Sequence, residues 1–172
     1  MAEEKEQYNI PFEEVIPILS KLSIFGGLEE DKQRYLTSLL KSVNYSKAAY
    51  VYRQGDDASH IYIVRSGKVM IVAESPAGKI LLASFQTGDC FGETSVLGIQ
   101  PHSASALTAV DTQLMILSRQ ALLNIFETDP PMFGILILNI ARETCRRLHH
   151  VDAVLRENLG PGSSQSYHGL EG

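Results

Sequence analysis

Residues 43–117 are written as short β-type runs cut apart by turn residues, and that spacing constrains the fold more than any other property of the chain. The runs are 43–45, 49–52, 60–65, 68–73, 80–85, 103–110 and 113–117. Between them stand Gln54-Gly55-Asp56, Ser66-Gly67, Ser75-Pro76-Ala77-Gly78 and Thr87-Gly88-Asp89. Glycine supplies the positive φ of tight turns, while aspartate and proline favour turn backbones. Several short strands at this spacing predict a sandwich or barrel with jelly-roll-like winding.

Helical periodicity flanks this region. Residues 16–22 carry apolar positions at helical spacing, and 29–41 predict a second helix with Tyr35, Leu36, Leu39 and Leu40 inward. Gly26-Gly27 separates the two. Ser118 is placed to cap a helix over 120–126, which Asp129-Pro130-Pro131 ends, because proline cannot continue it. A long helix is expected over 132–158, stopping at Leu159-Gly160-Pro161-Gly162. The organisation is then an N-terminal helical segment (1–42), a β unit (43–118), C-terminal helices (119–159) and a flexible tail (160–172).

The chain of 172 residues is long enough for one domain with a real core. Its formal net charge of -5 gives no overall field for polyanions. No apolar run approaches the roughly 18 residues that span a bilayer, so no membrane partner is expected. The start, Met-Ala-Glu-Glu-Lys-Glu-Gln, lacks the apolar stretch of a signal peptide, and a cytoplasmic address is expected. Cys90 and Cys145 show no metal or disulfide spacing and are read as reduced thiols. A metal-dependent barrel enzyme would need a cluster of metal-binding histidines and carboxylates along the strands, and the strand-region histidines are His60 and His102 alone. No metal, no cofactor and no catalysis are expected.

The segment 88–106 holds the distinctive chemistry. It reads Gly-Asp-Cys-Phe-Gly-Glu-Thr-Ser-Val-Leu-Gly-Ile-Gln-Pro-His-Ser-Ala-Ser-Ala. A glycine turn, a carboxylate and small polar residues precede a further strand, a pattern suited to a sugar-phosphate ligand. The segment resembles the phosphate-binding cassette of the cyclic-nucleotide-binding domains, in which Phe-Gly-Glu is followed by Pro-Arg-Ser/Thr-Ala. The matching residues are Phe91, Gly92, Glu93, Pro101, His102, Ser103 and Ala104, and the arginine position holds His102. Gly55-Asp56, Tyr62, Ile63, Gly67, Val69 and Gly88-Asp89 extend the resemblance, which covers about residues 10–158. It implies a mainly β fold with flanking helices: an eight-stranded β-roll, N-terminal helices and a long C-terminal helix.

The resemblance also implies a ligand, cAMP or cGMP, and a set of contacts. One helical turn over 93–97 would aim backbone N–H groups at the phosphate, with Thr94 and Ser95 lining the loop. Glu93 would accept the ribose 2′-hydroxyl; the other reading of the residue is a turn carboxylate balancing a helix N-terminus. Ser103 would donate its hydroxyl and, with Ala104, backbone N–H groups. Val151 and Asp152 fall where capping residues meet the purine. Histidine is a shorter donor than arginine, and its ordinary pKa of about 6.5 leaves it mostly neutral at physiological pH. Any cyclic nucleotide is therefore expected to bind weakly at neutral pH.

Leu148, Val151 and Leu155 form an apolar row at helical spacing, and a homodimer through the C-terminal helix is expected. Only 17 residues follow Leu155, so this chain alone is not expected to bind DNA through a helix-turn-helix. Two readings stand: a sensor relaying a cyclic nucleotide through the C-terminal helix, or an interaction module of the same fold that binds none.

Overall fold

The computed structural model describes residues 7–76 and 78–158, and the predicted tail lies outside them. Among these residues nine strands form two antiparallel sheets: β1 (Gln7–Asn9), β2 (Lys41–Tyr45), β3 (Tyr50–Tyr52), β4 (His60–Ser66), β5 (Lys68–Ser75), β6 (Gly78–Gln86), β7 (Cys90–Phe91), β8 (Ser105–Thr108) and β9 (Thr112–Ser118). One sheet runs β1-β2-β9-β4-β7 and the other β3-β8-β5-β6. Strands β2 to β9 make the expected eight-stranded roll. Strand β1 pairs with β2 from the N-terminal segment, so that segment is not purely helical.

The apolar runs of β4 and β9 follow from burial on both faces. Successive side chains of a strand point to opposite sides. Tyr62, Val64, Leu114 and Ile116 pack between the sheets with Val69, Phe85 and Ala106. Their neighbours Ile61, Ile63, Met115 and Leu117 pack on the other side, against Leu22, Phe25, Leu36, Ile125 and Leu136 of the helical layer. Strand β6 is an edge strand of its sheet and leaves Ile80, Leu81 and Leu82 exposed. At the β4–β5 hairpin Gly67 has φ +97, and a Cβ there would lie 2.5 Å from Thr112 Oγ1 and 2.7 Å from the Asp111 carbonyl.

The helical layer departs from the periodicity in two places. Residues 16–22 are not an α-helix: α1 is Phe12–Val15, followed by 3₁₀ turns at Ile16–Lys21 and Ser23–Phe25. Pro17 supplies no N–H, and the Leu22 and Phe25 amides bond three residues back, to Leu19 and Leu22. In α2 (Glu30–Leu39) Leu36 is fully buried, as is Leu40 just beyond it, but Tyr35 is 38% exposed at the edge of the stripe rather than inward.

Ser118 does cap α4 (Arg119–Thr128), its Oγ accepting from the Ala121 amide at 3.1 Å. Helix α5 (Pro130–Asn158) starts two residues earlier than the pattern predicts, because proline fits a helix's first turn. Asp129 serves both helices: its amide closes α4 on the Ile125 carbonyl, and its Oδ1 accepts from Met132 of α5. Its other oxygen pairs with Lys32 of α2, which holds the Asp129 carboxyl below the usual range. Met132, Leu136 and Ile140 complete the helical side of the core. Buried Asn139 donates to the carbonyls of Ile24 (3.2 Å) and Gly26 (2.7 Å), tying this part of α5 to the N-terminal turns. Among the described residues, those from 141 to 158 belong to a second unit.

Candidate functional site

Pairing of β7 with β4 sets Phe91 opposite Tyr62. Their rings stack at 5.1 Å, and Phe85 stacks on Phe91 at 5.5 Å. Gly92 follows with φ +81, and a Cβ there would lie 3.0 Å from the Tyr62 ring and 3.2 Å from the His60 carbonyl. A side chain is excluded by both the dihedral and the close approach. The chain then enters α3 (Glu93–Gly98), the single turn expected over 93–97. It leaves through Ile99, at φ +52, where the Gln100 amide bonds the Ser95 carbonyl at 3.0 Å. Arg119 donates to the Ala58 carbonyl at 2.7 Å and the Val96 carbonyl at 3.4 Å, fixing the end of this turn.

The return segment is laced to the Gly55-Asp56 turn. His102 accepts from the Gly55 amide at 2.8 Å and donates its own amide to the Asp56 carbonyl at 2.9 Å. Its ring lies flat on Tyr52, 3.5 Å between centroids and 6° between planes, and the residue is 4% exposed. Tyr52 in turn tilts against Tyr62 at 5.5 Å and Phe91 at 6.1 Å. One tyrosine thus joins the two ends of the cassette. Strand Ser103–Val110 was expected to start at 103, but β8 starts at Ser105, whose Oγ accepts from the Gln54 amide at 2.8 Å.

Glu93, at the first position of α3, is 2% exposed. Burial raises the Tyr52 hydroxyl above its usual range, helped by the charges of Tyr62 and Glu93. Burial likewise raises Tyr62, with Tyr45 and Asp56 adding to it. His102 is lowered by burial, and Asp56 opposes that in part.

The structure therefore gathers Phe91, Gly92, Glu93 and His102 around Tyr52 and Tyr62. Ser95 and Ala104 are buried beside them in the chain, while Thr94 and Ser103 are exposed. Val151 and Asp152 lie on the part of α5 that forms the second unit, whose internal contacts include Glu143 with Arg146 at 2.6 Å. Cys90 is buried and Cys145 exposed, and no disulfide joins them. Among the described residues no group of three or more His, Cys, Asp or Glu is placed to hold a metal ion. Tyr52 is the participant that motif reading missed, while Asp56 was marked only as part of the Gly55-Asp56 turn. The only signal for Tyr52 is position, an aromatic closing a short strand just before that turn.

The family model of the cyclic nucleotide-binding domain matches residues 42–129, which begins in β2 and ends at Asp129. The chain belongs to the cyclic nucleotide-binding domain family. A CRP-like cAMP-activated global transcriptional regulator of Mycobacterium tuberculosis is 31% identical over 134 residues, which cover 77% of this chain and 59% of that protein. The chain thus spans well under two thirds of that relative. A cyclic nucleotide-binding domain from Methylobacillus flagellatus superposes with a TM-score of 0.77 at 25% identity, covering 87% of this chain and 85% of that one. The catabolite activator protein of Thermus thermophilus gives 0.68 at 30% identity, over 78% and 62%. As a cyclic nucleotide-binding domain, the chain has the family roll. Among its described residues no helix is long and apolar enough to cross a membrane.

Proposed function

We propose that this domain is a non-enzymatic sensor that takes cAMP or cGMP in its cassette and relays occupancy through α5. The observation that supports the reading most is the assembled cassette: Gly92 against Tyr62, Glu93 buried behind it, and the 102–104 segment held on the Gly55-Asp56 turn. In this account Glu93 accepts the ribose 2′-hydroxyl, and Ser103 with the amides of Ser103 and Ala104 donates to the phosphate. Gly92 admits the sugar-phosphate close to the backbone, Phe91 packs beneath it, and Thr94 and Ser95 line the turn. His102 supplies the positive charge once protonated. Val151 and Asp152 meet the purine. Leu148 and Val151, exposed and three residues apart on one helix face, support pairing with a second copy.

One observation favours the alternative, an interaction module that binds no nucleotide: His102 is stacked on Tyr52 and buried, closing over the site's aromatic wall. Thermal unfolding separates the two. A ligand that binds only the folded state stabilises it by about 2.7 kcal/mol at a hundredfold excess over its Kd. The sensor reading expects cAMP or cGMP to raise the melting temperature in a saturable way at about pH 6. No shift with either nucleotide there would leave the interaction module.

A further inference from the structure

An open hollow of about 270 Å³ lies beside the return segment of the cassette, lined by residues 57–59, by residues 99–101 and by Arg119. Its volume falls just under the range of about 300–1,000 Å³ that holds drug-sized ligands, so it suits a smaller molecule. Two opposite charges line this space without pairing with each other. Arg119 gives Nη2 to the carbonyls of Ala58 and Val96, at 2.7 and 3.4 Å, and its buried Nε has no partner. Neutral carbonyls alone meet its charge, and Nη1 stays outside those bonds. Asp57 is exposed and takes part in no hydrogen bond or ion pair among the described residues. Guanidinium and carboxylate groups make their strongest hydrogen bonds to partners of opposite charge.

Ile99 adds an aliphatic wall at some cost. It is 78% exposed and stands at φ +52, where a β-branched residue is strained and a helix end normally places glycine or asparagine. Pro101 extends the apolar surface. A free α-amino acid matches this lining in each part. Its ammonium suits the Asp57 carboxylate, its carboxylate the Arg119 guanidinium, and an aliphatic side chain the surface of Ile99 and Pro101. A simple anion would leave Asp57 unmet, and a simple cation would leave Arg119 so. We infer that the hollow is a second small-molecule site, and that its ligand class is the zwitterionic amino acid with an aliphatic side chain. Its position ties it to the cassette. Asp57 follows Asp56, whose carbonyl accepts from the His102 amide at 2.9 Å, and Pro101 precedes His102. The site does not depend on what the cassette itself takes.

Amide chemical shifts of the ¹⁵N-labelled full chain test this at about pH 7, where a free amino acid is a zwitterion. The probes are L-leucine, L-valine, glycine, isocaproate (leucine without its ammonium) and isoamylamine (leucine without its carboxylate). Leucine or valine gives saturable shifts in the millimolar range, centred on Asp57, Ala58, Ser59, Ile99 and Gln100 rather than on Gly92 and Glu93. Isocaproate and isoamylamine bind about threefold or more weakly, the cost of losing one exposed ion pair. Glycine is weaker as well, because it buries no aliphatic surface. Asp57→Asn breaks no bond within the protein; it lowers the leucine affinity to that of isocaproate and leaves isocaproate unchanged. Ile99→Gly relieves the strained backbone, keeps or raises the melting temperature, and brings leucine close to glycine. The inference is overturned if neither leucine nor valine gives saturable shifts, or if those shifts centre elsewhere. It is equally overturned if isocaproate or isoamylamine matches leucine, or if Asp57→Asn or Ile99→Gly binds leucine as the wild type does.

Discussion

His102 is held in two opposed ways. Burial against Tyr52 favours its neutral form, and Asp56 favours the charged one, with burial the larger effect. A bound phosphate adds a second anion on the side of Asp56, so it raises the histidine pKa in the complex. Binding of a cyclic nucleotide then takes up a proton and gains from acid as the pH falls through the raised pKa of the complex toward the lowered pKa of the free protein. The groups acting on the ring are Tyr52, stacked on it, and Asp56, and the hydroxyls of Tyr52 and Tyr62 stay protonated throughout. Cyclic-nucleotide affinity should therefore rise several-fold between about pH 7.5 and about pH 6, and His102→Arg should flatten that dependence. Calorimetry at the two pH values checks it; an affinity unchanged or falling toward acid contradicts it. Motif chemistry made Gly92, Glu93 and His102 legible, because a glycine turn, a carboxylate and a lone histidine are marked by type. Tyr52 was not. An aromatic in a strand announces burial, but its partner depends on the pairing that sets Tyr52 opposite Ala106.

At the scale of elements, α5 is joined to the N-terminal turns by side-chain chemistry as well as packing. Asn139 donates to two carbonyls that the 3₁₀ turns leave pointing into the core. Asn139→Ala would strand both, and stability should fall by about 1–3 kcal/mol, the usual cost of orphaned buried groups. Chemical denaturation would read this as a lower midpoint with an unchanged slope. A neutral effect would mean that water takes over both carbonyls. The signal was present in the sequence, as one amide inside the apolar stripe of Leu136 and Ile140. The 3₁₀ turns were less legible. Their apolar spacing imitates an α-helix, and Pro17 alone warns otherwise. Two-residue β7 and three-residue β1 are too short for alternation to register.

For the molecule as a whole, the strand pattern predicted the roll well because β4 and β9, buried on both faces, must be continuously apolar. The helical flanks were read by type and less well by boundary. What the chain assembles with is a matter of exposed surface. Leu148 is 61% exposed and Val151 48%, on one face of the second unit. Sedimentation at micromolar concentration should show a dimer, and Leu148→Asp with Val151→Asp should shift it to monomer. A monomeric wild type would end this part of the account. The central claim is narrower: a ribose ligand enters at the cassette. Amide chemical shifts from ¹⁵N-labelled protein, titrated with cAMP and with cGMP at about pH 6, test it most directly. The account predicts saturable shifts that are largest at Gly92, Glu93, Ser95, Ser103 and Ala104. Saturable shifts centred elsewhere, such as the hollow lined by Asn44, Asp111 and Gln113, or no shifts with either ligand, would contradict it.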